Sequence, residues 1–113
     1  MDTQDDYPAE PQSRAPEIED LVNLCRHLNA SDAKYIVVGG MAVIQSGYLR
    51  ATEDIDLLID ASLENEAKVF AALMSLPDQA VRELQPGEVS RYTVVRVADE
   101  VVVDLMKSAC GIT

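Results

Sequence analysis

The sequence predicts a small α/β domain, a mixed, twisted sheet with helices packed mainly on one face. Three observations carry this. A β-branched run, Tyr35–Val38, leads into the Gly39-Gly40 pair. Residues 54–60 alternate carboxylates with large aliphatic side chains, as a strand with one buried face does. Two stretches with apolar residues at helical spacing, 17–29 and 63–76, accompany them, and valine-rich runs at 90–97 and 101–106 read as an antiparallel hairpin. At 113 residues, one domain is the most that this chain can build.

The first sixteen residues carry Pro8, Pro11 and Pro16 among acidic and polar residues and lack an apolar period, so 1–16 is expected to be a disordered acidic tail. In 17–29, Ile18, Leu21, Val22, Leu24, Cys25 and Leu28 share a helical face. Glu17, Glu19 and Asp20 at its start and Arg26 and His27 at its end suit the helix dipole. His27 is the only histidine, and a helix end accounts for it.

Tyr35–Val38 reads as a buried strand, and 41–45 after the Gly pair as a helix stopped at Gly47. A strand, a Gly pair and a helix start leave unpaired backbone N–H groups where an anion can come close. Gly39 and Gly40 are therefore candidate phosphate-binding residues, with a plain strand-to-helix turn as the other reading. In the connector, Arg50 can reach a phosphate or orient Asp54, or stand exposed.

Alternation puts Asp54 and Asp56 on one strand face and Ile55, Leu57 and Ile59 on the other. Two carboxylates about 7 Å apart along a strand repel, and a cation between them relieves the repulsion. The plain alternative is an edge strand whose solvated charges prevent aggregation. A calcium-binding EF-hand loop fits poorly, with Leu58 at a ligand position and no glycine at the sharp turn. Asp60 ends the strand or caps the next helix, with Ser62 the competing cap.

Helix 63–76 is expected to bury Leu63, Ala67, Phe70, Ala71 and Met74 and to stop at Pro77. Asp78 can cap a shorter helix at 79–84, before a Pro86-Gly87 turn. In the hairpin, the turn at Ala98-Asp99-Glu100 lacks Asn-Gly or Asp-Gly, which leaves the register open. Val102, Asp104 and Met106 share one face of its second strand. Asp104 among valines and leucines is costly to bury unless a metal or the surface accommodates it. Lys107 is a candidate phosphate contact or a strand-end cation.

A phosphate cradle beside paired carboxylates outlines a site for phosphoryl or nucleotidyl transfer. Val38-Gly39-Gly40, thirteen residues, Asp54-Ile55-Asp56-Leu57 and later Val103-Asp104-Leu105 resemble the three signatures of the polymerase-beta-like nucleotidyltransferase superfamily. The resemblance spans residues 35–106. The lead-in Arg50-Ala51-Thr52-Glu53 is most similar to minimal bacterial nucleotidyltransferases and abortive-infection-type toxin transferases.

That resemblance implies a nucleotidyltransferase-like fold and transfer of a nucleoside monophosphate from an NTP to an acceptor. It also implies two Mg²⁺ (or Mn²⁺) ions held by Asp54, Asp56 and Asp104, the last placing the metal that activates the acceptor hydroxyl. The acceptor can be a tRNA, a protein or a small molecule. A toxin paired with an antitoxin partner is the first alternative, and a nucleotide-binding or interaction module without catalysis is the second. Related proteins continue into helices that hold the acceptor, so 17–113 reads as a nucleotidyltransferase core that is either truncated at its C-terminus or unusually small.

Composition narrows the partners. The net charge of −11 disfavours sequence-independent nucleic-acid binding, and one Phe, four Tyr and no Trp leave little for base stacking. Cys25 and Cys110 have no metal or redox spacing and read as reduced thiols. No secretory signal is visible, and the longest nearly apolar run, 35–44, is too short to span a bilayer. A cytoplasmic protein without membrane contact is expected.

Overall fold

The computed structural model describes residues 13–39 and 54–108. Their elements run α1 (Ile18–Ala30), β1 (Tyr35–Val38), β2 (Asp54–Ile59), α2 (Leu63–Leu73), a 3₁₀ turn (Ala80–Glu83), a single helical turn α3 (Glu88–Arg91), β3 (Val95–Ala98) and β4 (Val102–Lys107). The four strands form one mixed sheet in the order β1-β2-β4-β3. β2 runs antiparallel to β1 and parallel to β4, and β3 returns antiparallel to β4. The small α/β fold is therefore as expected. The helix expected at 41–45, Gly40, Gly47, Arg50 and Cys110 lie outside the described residues.

The apolar face of the sheet makes the core. Ile55, Leu57 and Ile59 of β2 and Val103 and Leu105 of β4 are fully buried, and they join Leu21, Leu24 and Leu28 of α1 and Val69, Ala72 and Leu73 of α2. The two longer helices thus cover the face opposite Asp54 and Asp56. Strand parity, set by side chains that alternate at every residue, decides which side of β2 meets them.

Several expectations need correction. β1 is half-buried to exposed, with Ile36 47% accessible, because it ends the strand order of the described sheet. The helix expected at 63–76 stops at Leu73 and buries a different face. Asn65, Glu66, Val69, Ala72 and Leu73 point inward, whereas Leu63 and Met74 are exposed and Ala67 and Ala71 face outward. Those five inward positions keep a helical period, but two are polar, so counting apolar residues selects the wrong stripe.

Asn65 and Glu66 are buried because each holds backbone from elsewhere. The Asn65 amide donates to the carbonyls of Lys34 and Asp60, and its oxygen accepts from the Lys34 N–H at 2.7 Å. The Glu66 carboxylate accepts from the N–H groups of Gly87 and Val89, at 2.7 and 3.1 Å. That capping pulls 88–91 into a helical turn, so the strand expected at 90–97 is only Val95–Ala98. Likewise Asp78 does not cap the next turn. Asp99, 2% accessible, accepts from the N–H groups of Asp78 and Ala80 and supplies the cap from the β3–β4 connection. Ser62, rather than Asp60, caps α2 by accepting from Asn65 N–H at 3.2 Å.

The described residues also begin within the expected tail. Ser13 Oγ donates to the Asp99 carbonyl, Arg14 N–H donates to the Glu100 carbonyl, and the Arg14 guanidinium bridges Asp20 and Glu100. Pro16 is buried, so residues 13–16 belong to the domain.

Candidate metal centre

Asp54 and Asp56 leave β2 on the face away from the core, and the parallel pairing sets Asp56 opposite Asp104 of β4. One carboxylate oxygen from each of the three residues lies within 4.8 Å of the others. Asp54 and Asp56 are half-buried and Asp104 is buried. The strand parities of the sequence thus bring the three expected acids together.

The electrostatics record the crowding. Partial burial, a hydrogen bond with Asp104 and the charges of Asp56 and Asp104 raise Asp54 from the usual 3.8 to about 6. Burial, and then the charge of Asp104, push Asp56 up as well. Asp104 moves the other way, because a guanidinium hydrogen-bonds it and outweighs its burial. Two of the three acids therefore resist ionisation, and one is held ionised.

That guanidinium belongs to Arg96 of β3, which the register sets opposite Asp104. Its Nε donates to Asp104 Oδ1 at 2.9 Å and its Nη2 to Asp104 Oδ2 at 3.0 Å, with a further contact from Nη2 to Asp54 Oδ2 at 3.2 Å. Arg96 stands in none of the motifs that the sequence offers. It is the one cation of a Val-Arg-Val alternation, and a known hairpin register would have aimed it at Asp104; the three-residue turn concealed that register.

Gly39, a candidate phosphate-binding residue, also borders the acidic cluster. It follows β1 with φ +77, a region that favours glycine, and a Cβ there would overlap the Asp56 carboxylate. Gly39 thus leaves room for Asp56 as well as an uncovered backbone. Lys107 lies elsewhere. Its ammonium donates to the Ser90 carbonyl at 2.9 Å, and it follows the parity of Val103 and Leu105 rather than that of Asp104.

The donor set fits the implied metal. Three carboxylates without nitrogen or sulfur form an all-oxygen set, which suits hard cations such as Mg²⁺ and Mn²⁺. Burial first, and then the neighbouring carboxylates, hold Asp54 and Asp56 back from ionising, and a divalent cation would offset both. Among the described residues, no helix is long and apolar enough to cross a membrane. Comparison of the chain with protein-family models, with curated proteins and with solved structures finds no match.

Proposed function

We propose that this chain is a divalent-metal-dependent nucleotidyltransferase, which moves a nucleoside monophosphate from an NTP to an acceptor hydroxyl and releases pyrophosphate. One observation carries the reading: carboxylates from two parallel strands, Asp54, Asp56 and Asp104, gather their oxygens within 4.8 Å on the face opposite the core. Asp54, Asp56 and Asp104 would hold Mg²⁺ or Mn²⁺, two ions with the NTP in place. A metal held there would neutralise charge on the triphosphate and lower the pKa of the acceptor hydroxyl.

The chain's own groups do the rest. Gly39 presents backbone without a side chain beside Asp56, which suits close approach of a phosphate. Asp104, held ionised by Arg96, is a standing carboxylate for the metal, and the acceptor's proton would pass to solvent. The acceptor oxygen bonds to the α-phosphorus, the bond from that phosphorus to the leaving oxygen breaks, and pyrophosphate departs with the electron pair. Two rigid strands hold the acids in place, so the protein contributes mainly positioning and field.

A second reading has one observation in its favour. Arg96 already pairs with Asp104 and Asp54, as in an ion-paired surface of a non-catalytic nucleotide-binding or interaction module. The toxin reading shares the transfer chemistry and differs in the acceptor alone, a tRNA or a protein.

Incubation with Mg²⁺ and each α-labelled NTP, with and without cell lysate, tests these readings. The expected result is label on one class of acceptor and release of pyrophosphate, with Asp56→Asn reducing transfer by about a thousandfold or more. Saturable NTP binding without transfer under any condition would favour the module.

A further inference from the structure

The acidic cluster is already in contact with a cation, and that cation is part of the chain. Two features separate Arg96 from an ordinary cross-strand ion pair. Its Nη2 is shared between Asp104 Oδ2 and Asp54 Oδ2, so the charge sits between carboxylates of two different strands. An arginine that merely oriented Asp104 would need no contact with Asp54. The second feature is the contrast in packing. The Arg96 side chain is 61% exposed, against 9% for that of Asp104. A long side chain mostly in water can swing away at little packing cost, whereas carboxylates on neighbouring central strands stay where the sheet holds them.

We propose that Arg96 is the resident counter-ion of this metal site, a guanidinium that a divalent cation must displace, so that free metal binds more weakly than the three carboxylates alone would allow. This rests on the reading of the acids as metal ligands. Arg96 engages both oxygens of Asp104 and one of Asp54, so the guanidinium and a metal contend for the same acceptors. The contest also has a long-range part, since positive charges confined to a cluster this small repel.

The arrangement selects how the site is loaded. A free divalent ion has to turn Arg96 out into water. A metal that arrives on a triphosphate brings an anion for the released guanidinium, and Arg pairs well with phosphate through its planar fork of donors. The site therefore favours the metal–nucleotide complex over bare metal. Without ligand, the same guanidinium offsets part of the repulsion among the acids.

The test is a titration of the full chain with Mn²⁺ alone at neutral pH, with no nucleotide present and free Mn²⁺ read by electron paramagnetic resonance. Wild type, Arg96→Ala and Arg96→Gln are compared, with circular dichroism as the check on folding; the glutamine variant keeps a hydrogen-bonding side chain if alanine leaves the acids too crowded to fold. The expected result is Mn²⁺ binding about tenfold tighter in the folded variants than in wild type. Binding equal to or weaker than wild type in a folded variant overturns the proposal and makes Arg96 a positioning residue for Asp104, with the metal reading intact. Absence of saturable Mn²⁺ binding in all three proteins overturns both.

Discussion

Two sets of buried or partly buried acids divide this domain between scaffold and site. Glu66 and Asp99, 1% and 2% accessible, lie deeper than any acid of the cluster. Their charges are spread over backbone N–H groups: Gly87 and Val89 for Glu66, and Asp78, Ala80 and Glu100 for Asp99. Asp54, Asp56 and Asp104 are more open, yet they face one another across adjacent strands. Burial therefore does not distinguish the acids of the candidate metal centre. What answers the charge marks them, because amide donors complete a carboxylate while neighbouring carboxylates leave it in need of a cation.

The sharpest way to break this division is to remove a scaffold acid. Glu66→Ala should leave the Gly87 and Val89 amides without their acceptor and open space beneath α3, at a cost of about 2–4 kcal/mol in folding stability. Denaturant melts measure that loss, and Mn²⁺ affinity of the folded fraction should stay within about twofold of wild type. A variant with normal stability and altered metal binding would erase the distinction between the two sets.

Gly39 tests the border between them. In Gly39→Ala, the methyl group meets the Asp56 carboxylate, and the backbone must keep φ +77 with a side chain attached. The strain should cost about 1–2 kcal/mol. Displacing Asp56 should also weaken Mn²⁺ binding by about five- to tenfold, as calorimetric titration would register. Loss of stability with unchanged metal affinity would make Gly39 a turn residue and nothing more.

Much of this arrangement was legible from alternation alone. A period of two placed Ile55, Leu57 and Ile59 inward and Asp54 and Asp56 outward, and the same parity in 101–106 put Asp104 with them. Such patterns are local, and the strand imposes them wherever one face is buried. Contacts made at long range were hidden. Glu66 meets its partners 21 and 23 positions away, and Asp99 reaches back 21 and 19 to Asp78 and Ala80. Nothing within a helical or turn window distinguishes them from solvated acids. Arg96 was concealed for a milder reason, an irregular turn that left its strand's register open, although Asp104 is only eight residues away.

The smallest expected effect is on pH dependence, and it separates Asp54 and Asp56 from Asp104 by sign. Asp54, raised to about 6, keeps a proton in the folded chain that the unfolded chain has released above the ordinary 3.8. Between those values the native state binds more protons, so this group makes the metal-free fold less stable as pH rises from about 4 to about 6. Asp56 is raised too and acts in the same direction. Asp104 is lowered, so its contribution is present above the ordinary carboxylate range and is lost only as pH falls below it. Thermal melts in chelator between pH 4.5 and 6.5 therefore isolate Asp54 and Asp56 from Asp104. Solvent exposure and Arg96 moderate the effect, which should amount to about 1–2 kcal/mol across the window. Asp54→Asn should remove most of the slope and leave the protein more stable than wild type at pH 6.5, because an amide keeps the shape without the charge. Metal competes with the same proton, so Mn²⁺ affinity of the wild type should climb through pH 6 and then level off. An equal slope in Asp54→Asn would mean that other carboxylates govern it, and the repulsion that invites a cation would no longer be centred on Asp54.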